Sequence, residues 1–448
     1  MPQLLVSISG IRGMVGDGLG PDEVKRFGLA FGTYLAGGAV VMGRDSRPSG
    51  PTLAQAFQEG LLATGCRVLD AGILSTPGTA VLLRHRKAAG GAVITASHNP
   101  APYNGIKLLS PKGRGLTHDE GQAVLDLYHK QAFRRAEPDR IRKVETVSDG
   151  PEVHVERVLS TVNAEAIRAA SIRVVVDAVN GAGGPEMVLL LEQLGCRFTM
   201  INGEPTGRFG REPEPTPENL GDLAEAVRRE GAAIGLALDP DADRLSLVDE
   251  TGRPIGEEYT LALACRHRLT QKRGPLACNL STSRMMNDVA AEAGVPLYRT
   301  PVGEVNVALA MERHGCLIGG EGNGGVIDPR VALVRDSLAG TALFLERMAA
   351  SAQSLRQFSA ELPVYTMVKD KVRVGRADPA TLLRAVRERF KNATVDERDG
   401  VHLAWKEGWL HVRASNTEPI LRILAEASDG QTARTWVRQV ADVVQGIG

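Results

Sequence analysis

The 448-residue sequence has few aromatic side chains and no net charge. Phe, Trp and Tyr make up only 4% of the residues, which argues against a platform on which nucleic-acid bases stack. The 53 basic residues balance the 53 acidic residues, which argues against a nucleic-acid partner or an acidic membrane surface. We therefore expect the partners to be small molecules.

Disulfide spacings and long apolar runs are also missing. The five cysteines are scattered, and no two of them form a Cys-x-x-Cys pair, which favours reduced and buried thiols. The amino terminus has no basic segment followed by a long apolar core, and no apolar run approaches the length of a membrane span. We expect a cytoplasmic protein with no membrane attachment, either a monomer or a homodimer.

What the sequence does have is a recurring order of helix, glycine and short apolar strand. This order predicts an α/β fold with mixed or mainly parallel sheets and helices on both faces. The chain is too long for one core, and segments rich in polar residues, Gly and Pro suggest the linkers. We predict three similar αβα domains, residues 1–150, 151–252 and 253–365, and a smaller α+β domain, residues 366–448.

A serine follows a predicted buried strand, residues 91–94, in the segment TASHNP of residues 95–100. Open α/β sheets place their chemistry at the carboxyl ends of strands, where Ser97 should lie. Ser97 could carry a phosphate, and His98 could orient that phosphate or move a proton. An Asx turn closed by Asn99 and Pro100 remains an alternative.

The segment DPDADR, residues 239–244, is the most specific local signal. Asp239, Asp241 and Asp243 alternate between two apolar strands and would repel one another without a cation, which predicts a divalent metal site. An EF-hand loop is one alternative, because Glu250 falls at its twelfth position, but Arg244 stands where that loop needs glycine. A solvated acidic turn is another. Three oxygens from a rigid loop suit Mg²⁺ better than Ca²⁺.

Three further loops have groups suited to an anion or a sugar. Residues 9–16 form a glycine-spaced loop in which Arg12 could bind an anion. Residues 319–325 are rich in glycine around Glu321 and Asn323, which could hydrogen-bond sugar hydroxyls. Residues 413–419 follow a predicted strand, and their side chains could cradle a phosphate without the spacing of a Walker A loop. Plain turns remain an alternative for all three.

Taken in order, these segments resemble the α-D-phosphohexomutase family. The resemblance covers the Gly-Ile-Arg-Gly of residues 10–13, the segments 95–100 and 239–244, Glu321, and residues 413–419. It implies four domains around a central cleft, with one loop from each domain facing that cleft.

The resemblance also assigns roles to individual residues. Ser97 would be the phosphoserine and would hold Mg²⁺ together with Asp239, Asp241 and Asp243. Positive charge around the transferring phosphoryl group would come from Arg12, Lys107 and Arg244, and both His98 and Lys107 are candidates for the general base. Glu321 would contact the sugar, and the distal phosphate would be bound by Arg413, Ser415, Asn416 and Thr417.

The implied activity is an intramolecular phosphotransfer between O6 and O1 of a hexose phosphate, with a hexose 1,6-bisphosphate as intermediate and activator. Glu304 stands where the mannose and glucose enzymes often have histidine, and Asn323 lies in a loop that lacks their serine after the glutamate. These departures favour conversion of glucosamine 6-phosphate to glucosamine 1-phosphate. Activity on mannose and glucose phosphates, a phosphoserine-dependent phosphatase and a non-catalytic sugar-phosphate sensor remain alternatives.

Overall fold

The computed structural model describes residues 4–351, 353–375, 377–415 and 420–447. The protein has a four-domain α/β fold, with αβα domains and a smaller C-terminal α+β domain, as the sequence predicts. It separates into two compact units. The first comprises Met1–Gln271 and Asn323–Ser359, and the second comprises Lys272–Gly322 and Ala360–Gly448. The predicted boundaries after residues 150, 252 and 365 stay predictions.

The first unit contains most of the helices and strands that surround the serine and aspartate segments. Its strands are β1 (Leu5–Ser7), β2 (Gly10–Val15), β3 (Gly18–Leu19), β4 (Gly38–Arg44), β5 (Cys66–Ile73), β6 (Gly90–Ile94), β7 (Tyr103–Leu109), β8 (Glu145–Thr146), β9 (Arg173–Asp177), β10 (Arg197–Ile201), β11 (Ile234–Leu238), β12 (Leu245–Asp249) and β16 (Gly325–Ile327). Its helices are α1 (Pro21–Tyr34), α2 (Gly50–Leu62), α3 (Thr76–His85), α4 (His118–Lys130), α5 (Gly150–Leu159), α6 (Ala164–Ala170), α7 (Gly183–Gln193), α8 (Gly221–Glu230), α9 (Glu257–Gln271), α12 (Ser337–Ala350) and α13 (Leu355–Ser359).

The first sheet of this unit is mixed, with the order β1-β2-β7-β6-β4-β5-β8 and β3 beside β2. Strands β4, β5 and β6 are parallel, whereas β6 and β7 are antiparallel. Only residues 95–102 join β6 to β7, and that connection is too short for the crossover helix that parallel neighbours need. Phe27 and Phe31 of α1 pack against Phe57 of α2 in the core below the sheet.

The second sheet has the order β10-β9-β11-β12. Its first three strands are parallel, and β12 runs antiparallel to β11. Every residue of β11 and β12 is buried, including the polar Ser246 and Asp249 of β12. The aspartate segment forms the tight connection between these two rigid strands.

The second unit contains a parallel and an antiparallel sheet. Its strands are β13 (Leu276–Asn279), β14 (Leu297–Thr300), β15 (Ile318–Glu321), β17 (Thr366–Arg373), β18 (Thr394–Asp396), β19 (Val401–Ala404), β20 (Gly408–Ala414) and β21 (Ile420–Ala427). Its helices are α10 (Met285–Ala293), α11 (Glu304–His314), α14 (Pro379–Arg389) and α15 (Gly430–Ile447). Strand β13 pairs in parallel with β14 and β15, and the other five strands form an antiparallel sheet, β17-β21-β20-β19-β18.

Glycine ends the helices as the recurring pattern predicts. Gly231 after α8 has φ +58°, and Gly315 after α11 has φ +60°, so both occupy the left-handed region that favours glycine. These residues turn the chain from a helix into the next strand. None of the helices in the described part of the chain is both long and apolar enough to cross a membrane.

Candidate active site

The serine loop, residues 95–100, begins directly after β6. Ser97 is 2% exposed and has φ +52°, a left-handed conformation that is uncommon for a residue with a side chain. Its backbone N–H donates to Thr95 Oγ1 at 2.9 Å, and Thr95 Oγ1 in turn donates to Asp45 Oδ2 at 2.6 Å. Surrounding contacts therefore hold the serine in a conformation that its backbone would not favour alone.

Arg47 supplies most of those contacts. Its side chain is fully buried, and its Nε donates to Asp45 Oδ2 at 2.9 Å. Its Nη2 donates to the carbonyl oxygens of Ser97 and Asn99 at 2.6 and 2.7 Å, and its Nη1 donates to that of Pro100 at 2.9 Å. One guanidinium group thus binds three backbone carbonyls of the serine loop.

The metal loop, residues 239–244, lies between β11 and β12 with all three aspartates buried. One carboxylate oxygen from each of Asp239, Asp241 and Asp243 lies within 4.8 Å of the others. Asp239 Oδ1 accepts from the backbone N–H groups of Asp243 and Arg244 at 3.0 and 3.1 Å, which closes the turn. The loop therefore presents three carboxylates in one small volume.

Two cationic side chains and a hydroxyl bind the Oδ2 atoms of Asp241 and Asp243. Lys107 Nζ donates to Asp241 Oδ2 at 2.5 Å and to Asp243 Oδ2 at 3.0 Å. Thr76 Oγ1 also donates to Asp241 Oδ2, and Arg335 Nη2 also donates to Asp243 Oδ2, each at 2.6 Å. Burial acts to raise the pKa of Asp243, but Arg335, Lys107 and Arg244 outweigh it and lower that pKa.

The remaining oxygens fit a divalent cation. In the described part of the chain, Oδ1 of Asp241 and Oδ1 of Asp243 are buried without a hydrogen-bond partner. Burial, followed by the charges of Asp243 and Asp241, raises the pKa of Asp239. Buried carboxylates with unsatisfied oxygens and mutual repulsion are what a hard cation would stabilise.

The structure excludes the EF-hand alternative for this loop. Strands flank it where an EF-hand has helices, and Glu250 lies beyond the far end of β12. Glu250 Oε2 accepts from the backbone N–H of Arg356 instead of joining the three aspartates.

The serine loop and the metal loop meet at a hydrogen bond from Ser97 Oγ to Asp239 Oδ2, 3.1 Å long. Nδ1 of the neighbouring His98 lies 3.4 Å from the same Oγ. Burial, followed by the positive charges of Arg244 and Arg12, lowers the pKa of His98 to about 2, so its imidazole is neutral.

Arg12 Nη1 donates to Asn99 Oδ1 at 3.3 Å. The first unit thus brings together all eight predicted catalytic and metal-ligating residues: Arg12, Ser97, His98, Lys107, Asp239, Asp241, Asp243 and Arg244.

The second unit contains the predicted sugar-binding glutamate. Glu321 ends β15 and is 4% exposed, and its Oε1 accepts from Asn279 Nδ2 at 2.7 Å. The same oxygen accepts from the backbone N–H of Gly303 at 3.1 Å, and Glu304 follows as the first residue of α11. The backbone of Glu304 therefore lies close to the carboxylate of Glu321.

The predicted phosphate loop is described only in part. Arg413 lies in β20, where burial lowers its pKa against the opposing charges of Asp399 and Glu321. The backbone N–H of Ser415 donates to the carbonyl of Ile420 at 3.0 Å. Asn416 and Thr417 lie outside the described residues. Asn323 belongs to the first unit, and its buried Oδ1 has no hydrogen-bond partner among the described residues.

Family models match this chain along nearly its whole length. The models describe phosphoglucomutase/phosphomannomutase domain I at residues 4–135, domain II at 152–252, domain III at 256–365 and the C-terminal domain at 371–443. A phosphoglucomutase/phosphomannomutase of Thermococcus kodakarensis is 40% identical over 437 residues, with 96% of this chain and 95% of the relative covered. The chain belongs to the phosphoglucomutase/phosphomannomutase family.

Other relatives in the family have a different name. A probable phosphoglucosamine mutase of Methanopyrus kandleri is 36% identical, with 98% of this chain and 97% of the relative covered. A solved structure, a putative phosphomannomutase of Thermus thermophilus, is 27% identical with a TM-score of 0.85, and 99% of each chain is covered. The family confirms the predicted phosphohexomutase class and makes the chain a phosphosugar mutase, an isomerase.

The sequence did not identify Arg47, Thr76 or Arg335, each of which contacts the serine loop or an aspartate of this phosphohexomutase. Arg47 follows β4, which pairs in parallel with β6, so the loops after the two strands lie at the same edge of the sheet, but only the structure shows this pairing. No sequence signal exists for Thr76, which lies 165 residues from Asp241.

Proposed function

We propose that this phosphohexomutase moves a phosphoryl group between O6 and O1 of a hexose phosphate, with Ser97 as the phosphate carrier. The observation that carries this proposal is the 3.1 Å contact of Ser97 Oγ with Asp239, which sets a phosphorylatable hydroxyl beside three carboxylates. In the first step the bond from phosphorus to Ser97 Oγ breaks as a bond to the free sugar hydroxyl forms. The resulting 1,6-bisphosphate turns over and returns its other phosphoryl group to Ser97.

Asp239, Asp241, Asp243 and the serine phosphate would hold Mg²⁺, since carboxylate and phosphate oxygens are the ligands that this ion prefers. When bound, the ion supplies positive charge to the transferring phosphoryl group. Lys107, Arg12 and Arg244 add to that charge without any covalent role.

His98 is the better of the two candidate proton acceptors. Its Nδ1 lies 3.4 Å from Ser97 Oγ, which is close enough for proton transfer at that atom. The lowered pKa makes the imidazole a weak base, so this assignment rests on its position alone. Lys107 donates to two carboxylates that stabilise its ammonium form, and we therefore assign it to charge neutralisation.

The second unit would select and orient the sugar. We assign Glu321 to sugar hydroxyls and Arg413, Ser415, Asn416 and Thr417 to the phosphate that is not reacting. Such a grip lets either phosphate of the bisphosphate face Ser97 in turn. A trace of hexose 1,6-bisphosphate should activate the enzyme by phosphorylating Ser97.

For the substrate we favour glucosamine 6-phosphate. Glu304 directly follows Gly303, whose N–H donates to Glu321 Oε1, so the backbone of a second acidic residue lies close to the proposed sugar contact. The carboxylate of Glu304 could attract an ammonium group there. Activity on glucose and mannose phosphates is the second candidate, because the Thermococcus kodakarensis relative at 40% identity is named for those sugars. A cytoplasmic location and a monomeric or dimeric state stay predictions.

A coupled mutase assay with Mg²⁺ and a trace of hexose 1,6-bisphosphate tests this proposal. Glucosamine, glucose and mannose phosphates are compared side by side, and we expect the highest kcat/KM with glucosamine phosphate. Equal or higher values for glucose and mannose would support the second candidate. Release of inorganic phosphate without isomer formation would contradict mutase activity and identify a phosphatase.

The Ser97→Ala variant should lose mutase activity by about 10⁴-fold or more, because it lacks the hydroxyl that we propose as the phosphate carrier. Ser110→Ala is the matched control, since Ser110 is a buried serine that follows β7 outside the serine loop. Binding of the sugar phosphate by Ser97→Ala should stay near the wild-type level. A rate near that of the wild type would contradict the phosphoserine mechanism.

A further inference from the structure

A buried histidine lies behind the metal loop without touching it. His154 of α5 is fully buried, and its Nδ1 lies 2.7 Å from Glu186 Oε1 of α7. Its Nε2 lies 3.0 Å from Asp336 Oδ2 at the start of α12. Because both ring nitrogens face carboxylates, an imidazolium that donates to both satisfies this arrangement best. Burial acts to lower the pKa of His154, but Asp336 and Glu186 outweigh it and raise that pKa to about 10.

One chain of contacts runs from this histidine through Glu186 to Asp241. Glu186 Oε2 accepts from the backbone N–H of Ser75 at 2.9 Å, and Glu186 Oε1 accepts from Ser75 Oγ at 3.0 Å. Ser75 caps the amino terminus of α3. The next residue, Thr76, donates its N–H to the carbonyl of Asp241 at 2.9 Å and its Oγ1 to Oδ2 of the same aspartate.

A second chain of contacts runs through Asp336 to Asp243. Asp336 Oδ1 caps α12 by accepting from the first N–H groups of that helix. The preceding residue, Arg335, donates to Asp243 Oδ2 at 2.6 Å, and the N–H of the following residue, Ser337, donates to the carbonyl of Ala242 at 3.2 Å. The two chains thus reach the metal loop at different aspartates.

We propose that His154 is a positioning residue that sets the spacing of Asp241 and Asp243 by holding Glu186 and Asp336 on either side of one positive charge. This inference rests on the proposed function, which places a divalent cation between the three aspartates. Without that charge, two buried carboxylates would face each other and separate, because the protein interior screens their repulsion poorly. Thr76 would then move with α3, which it begins, and Arg335 would move with α12, which it precedes.

The chain provides a matched control in a second buried histidine. His267 Nε2 of α9 lies 2.9 Å from Glu346 Oε2, and Glu346 belongs to the same helix α12. The carboxylate of Glu346 also accepts from the backbone N–H of Asn163 and from the side chain of Gln271. This hydrogen bond lies nine residues beyond Ser337, the residue of α12 that contacts the metal loop, so its loss should affect stability alone.

The test is the affinity of the dephosphorylated, full-length protein for Mn²⁺. It is measured by titration calorimetry or from the electron paramagnetic resonance signal of free Mn²⁺. Urea unfolding of each variant is recorded in parallel. We expect His154→Gln to raise the dissociation constant of Mn²⁺ by about 10- to 100-fold, because substitution of residues that hold metal ligands in place has effects of this size. His267→Gln should leave it within about twofold while it lowers the urea midpoint.

Three results separate the possibilities. A wild-type affinity in folded His154→Gln, or an equal loss in both variants, would overturn the positioning role. If the wild-type protein does not bind Mn²⁺, or if Asp241→Asn binds it as well as the wild type does, the proposed metal site itself fails. If His154→Gln does not fold, Glu186→Gln takes its place, because its amide cannot accept from Ser75 and His154 as the carboxylate does. The same loss of Mn²⁺ affinity is then expected, and a wild-type affinity would overturn the positioning role.

Discussion

The serine loop and the metal loop both follow a buried strand, yet they are held in different ways. In the serine loop one side chain, that of Arg47, binds three backbone carbonyls, and Thr95, Arg12 and Asp239 each add a single contact. The metal loop closes on itself through Asp239 Oδ1 and is then held by side chains from β7, α3 and the segment before α12. The side-chain support of the serine loop is thus concentrated in one residue, whereas that of the metal loop is divided among several.

This difference follows from what each loop presents. The serine loop offers backbone carbonyls, and a planar guanidinium group with five donors can bind several of them at once. The metal loop offers carboxylate oxygens, which attract any nearby cation or hydroxyl. We therefore expect single substitutions to damage the serine loop more than the metal loop.

Arg47→Lys should have the largest effect. Lysine keeps the charge but cannot reach Asp45 and three carbonyls together, so buried acceptors lose their donors at a cost of about 1–3 kcal/mol each. We expect the free energy of unfolding to fall by about 2–4 kcal/mol. We also expect kcat to fall about 100-fold, because Ser97 Oγ would no longer be held in place. Steady-state kinetics and urea unfolding measure both quantities.

Arg44→Lys is the control for that substitution, because Arg44 precedes the same turn and, within the described residues, its side chain donates one hydrogen bond, to the carbonyl of Asp45 at 3.3 Å. Its effect on the free energy of unfolding should stay within about 0.5 kcal/mol. If Arg47→Lys behaved like this control, the other contacts of the serine loop would be sufficient to hold it without Arg47.

The elements around both loops were predictable from local sequence, whereas their supports were not. Apolar runs placed β6, β11 and β12, and glycines placed the helix ends, because these features depend on neighbouring residues. Arg47 acts on backbone carbonyls about 50 residues away, and carbonyls leave no pattern in a sequence. Only the pairing of β4 with β6 brings the two segments together.

The burial of His154 could have been predicted from the sequence. This residue lies beside Val155 and four residues before Val158, both of which are buried, so helical spacing places it on the apolar face of α5. A histidine on such a face needs buried partners. Spacing alone could not identify those partners, because Glu186 and Asp336 lie 32 and 182 residues away.

The two loops also differ in the charge of the histidine beside them, and this difference predicts opposite pH dependences of stability. The pKa of His154 is about 10 in the folded state, above the unfolded value of about 6.5, so its contribution is complete below pH 6.5 and is lost towards pH 10. The stability difference between the wild type and His154→Gln should therefore shrink as pH rises. The change is at most about 1.4 kcal/mol per pH unit.

For His98 the sign is reversed, because its folded pKa of about 2 lies below the unfolded value. The wild type should lose stability relative to His98→Gln as pH falls below about 6.5. The change in stability per pH unit should be smaller than that for His154, because His98 is only half-buried. Urea unfolding of the three proteins at pH 5.5, 7.5 and 9 measures both slopes. Slopes of the same sign would contradict the assigned charge states.

Thr76→Val should have the smallest effect and tests whether the supports of the metal loop are shared. Valine removes the hydroxyl that donates to Asp241 Oδ2, but Lys107 still donates to that oxygen and the N–H of residue 76 still binds the carbonyl of Asp241. We expect the free energy of unfolding to fall by about 1 kcal/mol and the affinity for Mn²⁺ to fall less than about tenfold. Thr79→Val, in the same helix α3, is the control, because Thr79 Oγ1 donates to the carbonyl of Ser75 and not to the metal loop. A loss with Thr76→Val as large as that expected for Arg47→Lys would mean that the metal loop depends on a single contact.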